Sequence, residues 1–163
     1  MKKNSKIWIL ILIICLIFIT GCKSETEIEE GKLSTITCSR EATIESDSSA
    51  KASLTYKIYY SGDFIKILNS IEKVTSSNSD TLDSYESAYR SIIKNYEGLK
   101  YYDNKITRDD NSVISDTTIN YGKIDTDKLL EIEGSEDNVI VNGKVKVDNW
   151  KSFAKKFGVT CNN

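Results

Sequence analysis

Apolar and polar positions give the chain three successive rhythms. From Ile7 to Ile19 apolar residues run without a break. Residues 23–32 are polar and acidic, with Ile28 the lone exception. From residue 33 the two classes alternate. Ile36 and Cys38 share one face of a first strand, and Leu54, Tyr56, Ile58 and Tyr60 share one face of a second, 53–60. Residues 40–52, polar and rich in Ser and Ala, read as a loop between them. Ser61-Gly62-Asp63 reads as a tight turn, with Gly62 supplying a positive φ.

Residues 64–75 fit either period. As a strand they line one face with Ile65, Ile67 and Ile71; as a helix they offer Phe64, Ile67, Leu68, Ile71 and Val74. The tight turn before them and their β-branched content favour a strand paired with 53–60. Residues 80–97 are the clearest helix, because Leu82, Tyr85, Tyr89, Ile92 and Tyr96 step by three and four. Ser79 or Asp80 suits its start and Gly98 its end. Leu99–Thr107 and Ser112–Tyr121 read as two strands, and Asp125 as the cap of a short helix over 126–132. Asn142-Gly143 between Val139-Ile140-Val141 and Lys144-Val145 predicts a type I′ hairpin. Asp148 then caps a last helix carrying Trp150, Phe153 and Phe157. These elements predict an α+β domain over 33–163. Its core is a single antiparallel β-sheet of hairpins and meander, with one long central helix and a C-terminal helix packed on one face.

The first 22 residues change where that domain works. Lys2, Lys3 and Lys6 precede the apolar run, and Ile19-Thr20-Gly21-Cys22 follows. Positive start, apolar run and small residues are the layout of a secretory signal peptide. An aliphatic residue, two small residues and Cys form the lipobox of bacterial lipoproteins. Residues 1–21 therefore read as a lipoprotein signal peptide, and Cys22 as the new N-terminus carrying a diacylglyceryl thioether. The run is shorter than the ~20 residues of a membrane span. Residues 22–32 become the lipidated Cys and a flexible acidic tether, reaching at most ~35 Å when extended. Two acyl chains suffice for stable anchoring. The expected location is the cell membrane, lipid-anchored, on its extracytoplasmic face.

Removing residues 1–21 takes three Lys away, and the formal charge moves from −2 to −5. A nucleic-acid partner, which needs a basic footprint, is not expected. The absence of His removes His-based triads and the usual zinc sites. No metal and no cofactor is expected. Of four Cys, Cys15 is discarded and Cys22 takes the lipid. Cys38 and Cys161 remain and are expected to form a disulfide, which persists outside the cytoplasm.

Other patterns carry less chemistry. Acids from Asp103 to Asp137 lack the EF-hand spacing of a calcium loop. Ser-x-x-Lys occurs at Ser70–Lys73 and Ser91–Lys94 without the partner motifs of penicillin-binding enzymes, and both read as surface positions. No catalytic residue is expected. The nine tyrosines lie between 56 and 121. The adjacent pairs Tyr59-Tyr60 and Tyr101-Tyr102 must split between sheet faces, which makes Tyr59 and Tyr101 candidates for an aromatic binding patch.

The order of motifs resembles one family. Leu54-Thr55-Tyr56, Gly62-Asp63, a polar helix, Tyr96-Glu97-Gly98-Leu99 and Ile119-Asn120-Tyr121-Gly122-Lys123-Ile124-Asp125 look like the YehR-like small bacterial lipoproteins over roughly residues 50–158. The resemblance implies an α+β fold and a lipid anchor, and brings no activity, substrate or site residue with it. The expected function is a non-catalytic binding or structural component of the envelope, whose partner is an envelope protein or a small molecule. The alternative is a carboxylate-dependent envelope hydrolase.

Overall fold

The structure is a computed structural model that describes residues 33–134 and 139–162. The expected signal peptide over 1–21, the expected lipidation site Cys22 and the expected tether to residue 32 lie outside the described residues. The elements in order are β1 (Ser34–Ile44), β2 (Asp47–Ser61), β3 (Phe64–Thr75), α1 (Ser79–Lys94), β4 (Tyr102–Arg108), β5 (Ser112–Asn120), α2 (Thr126–Glu133), β6 (Ile140–Val141), β7 (Lys144–Val145), α3 (Val147–Lys156) and β8 (Thr160–Asn162). Six strands form one sheet in the order β4-β5-β3-β2-β1-β8. Every pairing in it is antiparallel. β6 and β7 form a separate small hairpin.

Register shows how alternation becomes a core. Side chains directly opposite one another share a face. Ile36, Ile58, Leu68, Ile119 and Tyr102 make one row across β1, β2, β3, β5 and β4. Ala42, Ala52, Val74, Val113 and Arg108 make another, six residues further along. Both rows face the helices. The first belongs to a large apolar cluster with Leu129 of α2 and Val147, Trp150 and Ala154 of α3. In the second, Val74 and Val113 join Leu82 of α1 in a small cluster, with Ile44, Ala52, Tyr85, Tyr89 and Ile106 packed around it. The long helix and the C-terminal helix thus cover opposite ends of one sheet face. Trp150 is 5% exposed, and its ring meets Tyr56 edge-on with centroids 4.8 Å apart.

Several local expectations are corrected. Residues 40–52 are a hairpin rather than a loop: β1 runs on to Ile44 and β2 begins at Asp47. Their inward positions, Arg40, Ala42 and Ala52, are charged or small, which hid the alternation. Residues 64–75 are strand β3, but Ile65 and Ile67 lie on opposite faces. Tyr60 opposes Ile65 while Tyr59 opposes Ile67, so Lys66 is the extra residue of a bulge. Asn78 caps α1 through its side chain, which accepts from the Asp80 N–H. Ile92 leaves the helix stripe and is 55% exposed. β4 starts at Tyr102 because Tyr101 takes a positive φ of 68°. Asp125 caps α2 as expected. α3 begins after Lys146 with no side-chain cap, so Asp148 is inside the helix. Asn142 and Gly143 adopt φ of 52° and 70°, the type I′ signature.

Candidate functional site

Between the centres of the two apolar clusters, Asn104, Thr117, Ser70, Ser115, Glu72 and Arg40 interrupt the helix-facing side, beside Cys38, Tyr56 and Leu54 of the large cluster and Ile106 of the small one. One row there is Cys38, Tyr56, Ser70, Thr117 and Asn104; the next is Arg40, Leu54, Glu72, Ser115 and Ile106. Asn104 Nδ2 donates to Ser115 Oγ at 2.9 Å and to Thr117 Oγ1 at 2.7 Å. This belt joins the two ends, because Glu72 meets Tyr89 of α1 and Tyr56 meets Trp150 of α3. Its β1–β3 end opens as a cleft of about 400 Å³, whose lining includes Arg40, Leu54, Glu72, Val74, Tyr85 and Tyr89.

Glu72 is the chemical centre of the cleft. Its half-buried carboxyl is raised above the usual carboxylate range by burial, partly offset by a hydrogen bond that the Tyr89 hydroxyl donates. Tyr89 is pushed up in turn, by its own burial first and then by the charge of Glu72. Tyr56, beside it in the belt, is pushed up to about 12 by burial and by Glu72, with a hydrogen bond to Ser70 opposing. Arg40 marks the other limit. Its Nη1 donates to the Phe157 carbonyl at 2.7 Å, satisfying an orphan acceptor at the end of α3. Glu45 also lines the cleft. Among the described residues no group of three or more His, Cys, Asp and Glu is placed to hold a metal.

Cys38 and Cys161 form the expected disulfide, with Cα atoms 3.9 Å apart. They oppose each other across β1 and β8. The tail that looked untied in the sequence is therefore a short strand closing the sheet's β1 edge. Tyr59 sits on the uncovered face. A row runs from it through Ile67 and Asn120 to the start of β4, where the Asn120 N–H donates to the Tyr101 carbonyl at 2.9 Å. At ~4.8 Å per strand step, Tyr59 and Tyr101 stand ~14 Å apart along that row. Lys57 Nζ lies 5.2 Å from the Tyr59 ring centroid and Lys123 Nζ 6.0 Å from that of Tyr101. They are two separate lysine-covered rings, not one patch. Of the two Ser-x-x-Lys pairs, expected at the surface, the first comes apart and the second lies as expected. Ser70 is buried in the belt, while Lys73, three residues on in the same strand, belongs to the opposite face. Ser91 and Lys94 are exposed on α1.

Sequence reasoning missed Glu72 and Arg40. They are separated by 32 positions, and only the β1–β2–β3 register brings them into one row. The alternation of 53–60 and 64–75 was the available signal: it places Glu72 on the face of Leu68 and Val74.

Comparison with known proteins adds the fold. No protein-family model matches the chain, and no curated protein sequence does. Two solution structures are similar. The YehR protein of E. coli is 18% identical with a TM-score of 0.51, over 80% of this chain and 93% of that one. A protein from Streptococcus pneumoniae TIGR4 is 15% identical with a TM-score of 0.47, over 83% and 88%. The chain therefore shares its fold with E. coli YehR, in keeping with the order of motifs that suggested it.

Proposed function

We propose that the protein is an extracytoplasmic lipoprotein that is held to the membrane by a diacylglyceryl group on Cys22 and uses its domain to bind a ligand without transforming it. The observation that carries this reading is the Cys38–Cys161 cross-link. Disulfides persist in oxidising compartments, and the lipobox layout of residues 1–22 supplies both the export route and the anchor. The cleft around Glu72 supports binding. It is concave, partly apolar, and carries a few polar groups, the usual make-up of a small-ligand site. The test is fractionation of the full chain expressed in a bacterium, with labelled palmitate. The wild type takes up label and stays with membranes. Cys22→Ser should lose the label and either be released or accumulate as precursor. Membrane partitioning and processing unchanged in that variant would overturn the anchor.

One observation favours the hydrolase alternative. Glu72 has the raised carboxyl of a general acid, and Glu45 lines the same cleft. Release of soluble fragments from purified cell-wall sacculi, abolished by Glu72→Gln, would select that reading over binding alone.

A further inference from the structure

Arg40, Leu54 and Glu72 are neighbours in one cross-strand row. A cation, an apolar side chain and an anion thus stand side by side on one sheet face. Two strand steps of ~4.8 Å separate the backbones of Arg40 and Glu72 by ~10 Å. The ion pairs found among the described residues are Arg90–Glu86, Arg108–Asp83, Arg108–Glu86 and Lys128–Asp125. Neither Glu72 nor Arg40 is in one. Glu72 accepts from a neutral phenol, which leaves carboxylate lone pairs for a stronger donor. Arg40 commits Nη1 to the Phe157 carbonyl and keeps further N–H donors. Above the floor, α1 contributes the Tyr85 and Tyr89 rings, with centroids 6.3 Å apart.

The geometry points to a short zwitterion as the occupant of this cleft. Its ammonium sits on Glu72, its carboxylate reaches Arg40, and an apolar segment lies over Leu54. This rests on the binding reading above and names the ligand class for it. A simple amine would gain Glu72 but meet the charge of Arg40; a simple carboxylate would meet the reverse. A flexible ligand carrying both charges satisfies the two ends together, and its ammonium meets a partly desolvated carboxylate, where charge-assisted hydrogen bonds are strongest. The tyrosine rings add faces suited to an ammonium group.

The test titrates the full chain in detergent with three probes of matched length, by calorimetry: ε-aminocaproate, n-hexylamine and caproate. The zwitterion should bind about tenfold or more tightly than either singly charged probe. In Glu72→Gln, which keeps the shape and an acceptor for Tyr89, its affinity should fall to that of caproate. Leu54→Trp, which fills the floor, should abolish binding. A far-ultraviolet circular dichroism spectrum and a urea midpoint close to those of the wild type would show that each variant is folded. Hexylamine binding as tightly as the zwitterion, an unaffected Glu72→Gln, or no saturable binding at millimolar probe would each overturn the inference. The anchor fails separately. Lost probe binding with Cys22-dependent membrane attachment intact overturns the zwitterion alone, and a wild type that binds the zwitterion but ignores the membrane overturns the anchor alone.

Discussion

The two ends of the helix-covered face are held together by different physics. Under α2 and α3 the large cluster combines Trp150, Leu129, Val145 and Ile58 at or near full burial, and a disulfide straps the adjoining edge. Under α1 the fully shielded residues are Val74, Leu82 and Val113, and polar bonds supply much of the rest. Asp47 Oδ2 accepts from Ser76 Oγ at 2.7 Å and Thr81 Oγ1 at 2.8 Å, and Oδ1 accepts from Ser49 Oγ at 2.7 Å. That carboxylate ties the β1–β2 hairpin to the first turn of α1. Arg108 adds ion pairs to Asp83 and Glu86 at 3.2 and 3.7 Å. An apolar core resists opening in proportion to the area it buries, whereas polar ties exchange readily with water. The cleft lies at the junction of the two, with one wall on the end that opens more easily.

The largest expected effect tests the strap. Replacing both Cys38 and Cys161 with Ala should cost ~4 kcal/mol, an upper figure from chain entropy for a loop of more than a hundred residues. Urea unfolding with and without reductant measures it. A midpoint that neither replacement nor reductant moves would show that packing alone closes the β1 edge.

Next comes the α1 end. Leu82→Ala leaves a cavity in a fully buried site and should cost ~3 kcal/mol. Hydrogen exchange should then speed up in α1 well before the β2–β3 ladder, with Trp150 emission unchanged. Uniform acceleration across the domain would mean that the two ends open as one unit.

A third probe is Asp47. Its hydrogen bonds to Ser76, Ser49 and Thr81 hold it well below the usual carboxylate range. A lowered folded pKa adds stability above the unfolded value, lost as pH falls through the folded one. Asp47→Asn should therefore be the less stable protein at neutral pH, with the gap shrinking below about pH 4. A gap that does not change with pH would assign the effect to shape rather than charge.

The smallest effect has the opposite sign. The raised Glu72 carboxyl means that ionising it opposes folding, so stability is lost as pH climbs from the unfolded pKa through the higher folded one. Glu72→Gln should be slightly more stable than the wild type at pH 7 and equal to it near pH 4. A carboxylate that costs stability where it stands is what a binding group looks like; no gain at pH 7 would make Glu72 an ordinary tie to Tyr89.

Much of this architecture was legible because local chemistry dictated it. Gly62 and Asn142-Gly143 fixed turns, Asp125 fixed a helix start, and period-two alternation located β2. What was not legible depended on pairing across the sheet. The bulge at Lys66 flips Ile65 without any mark in the residue pattern. β8 is too short to show a period and exists because β1 offers it an edge. The belt between the clusters reads, strand by strand, as ordinary interruptions of alternation. Only register lines Arg40, Leu54 and Glu72 up.

The place of the cross-link in the chain also sets a clock. Cys38 lies in the first strand and Cys161 in the last, 123 positions apart, with every other described element between them. No partial chain that stops short of β8 can make the bond. Thiol oxidation takes seconds to hours, depending on oxidant and catalyst, whereas strands and helices form far sooner. The sheet can therefore assemble first and be locked afterwards, so the closed bond marks a chain made through β8 and brought back against its own first strand.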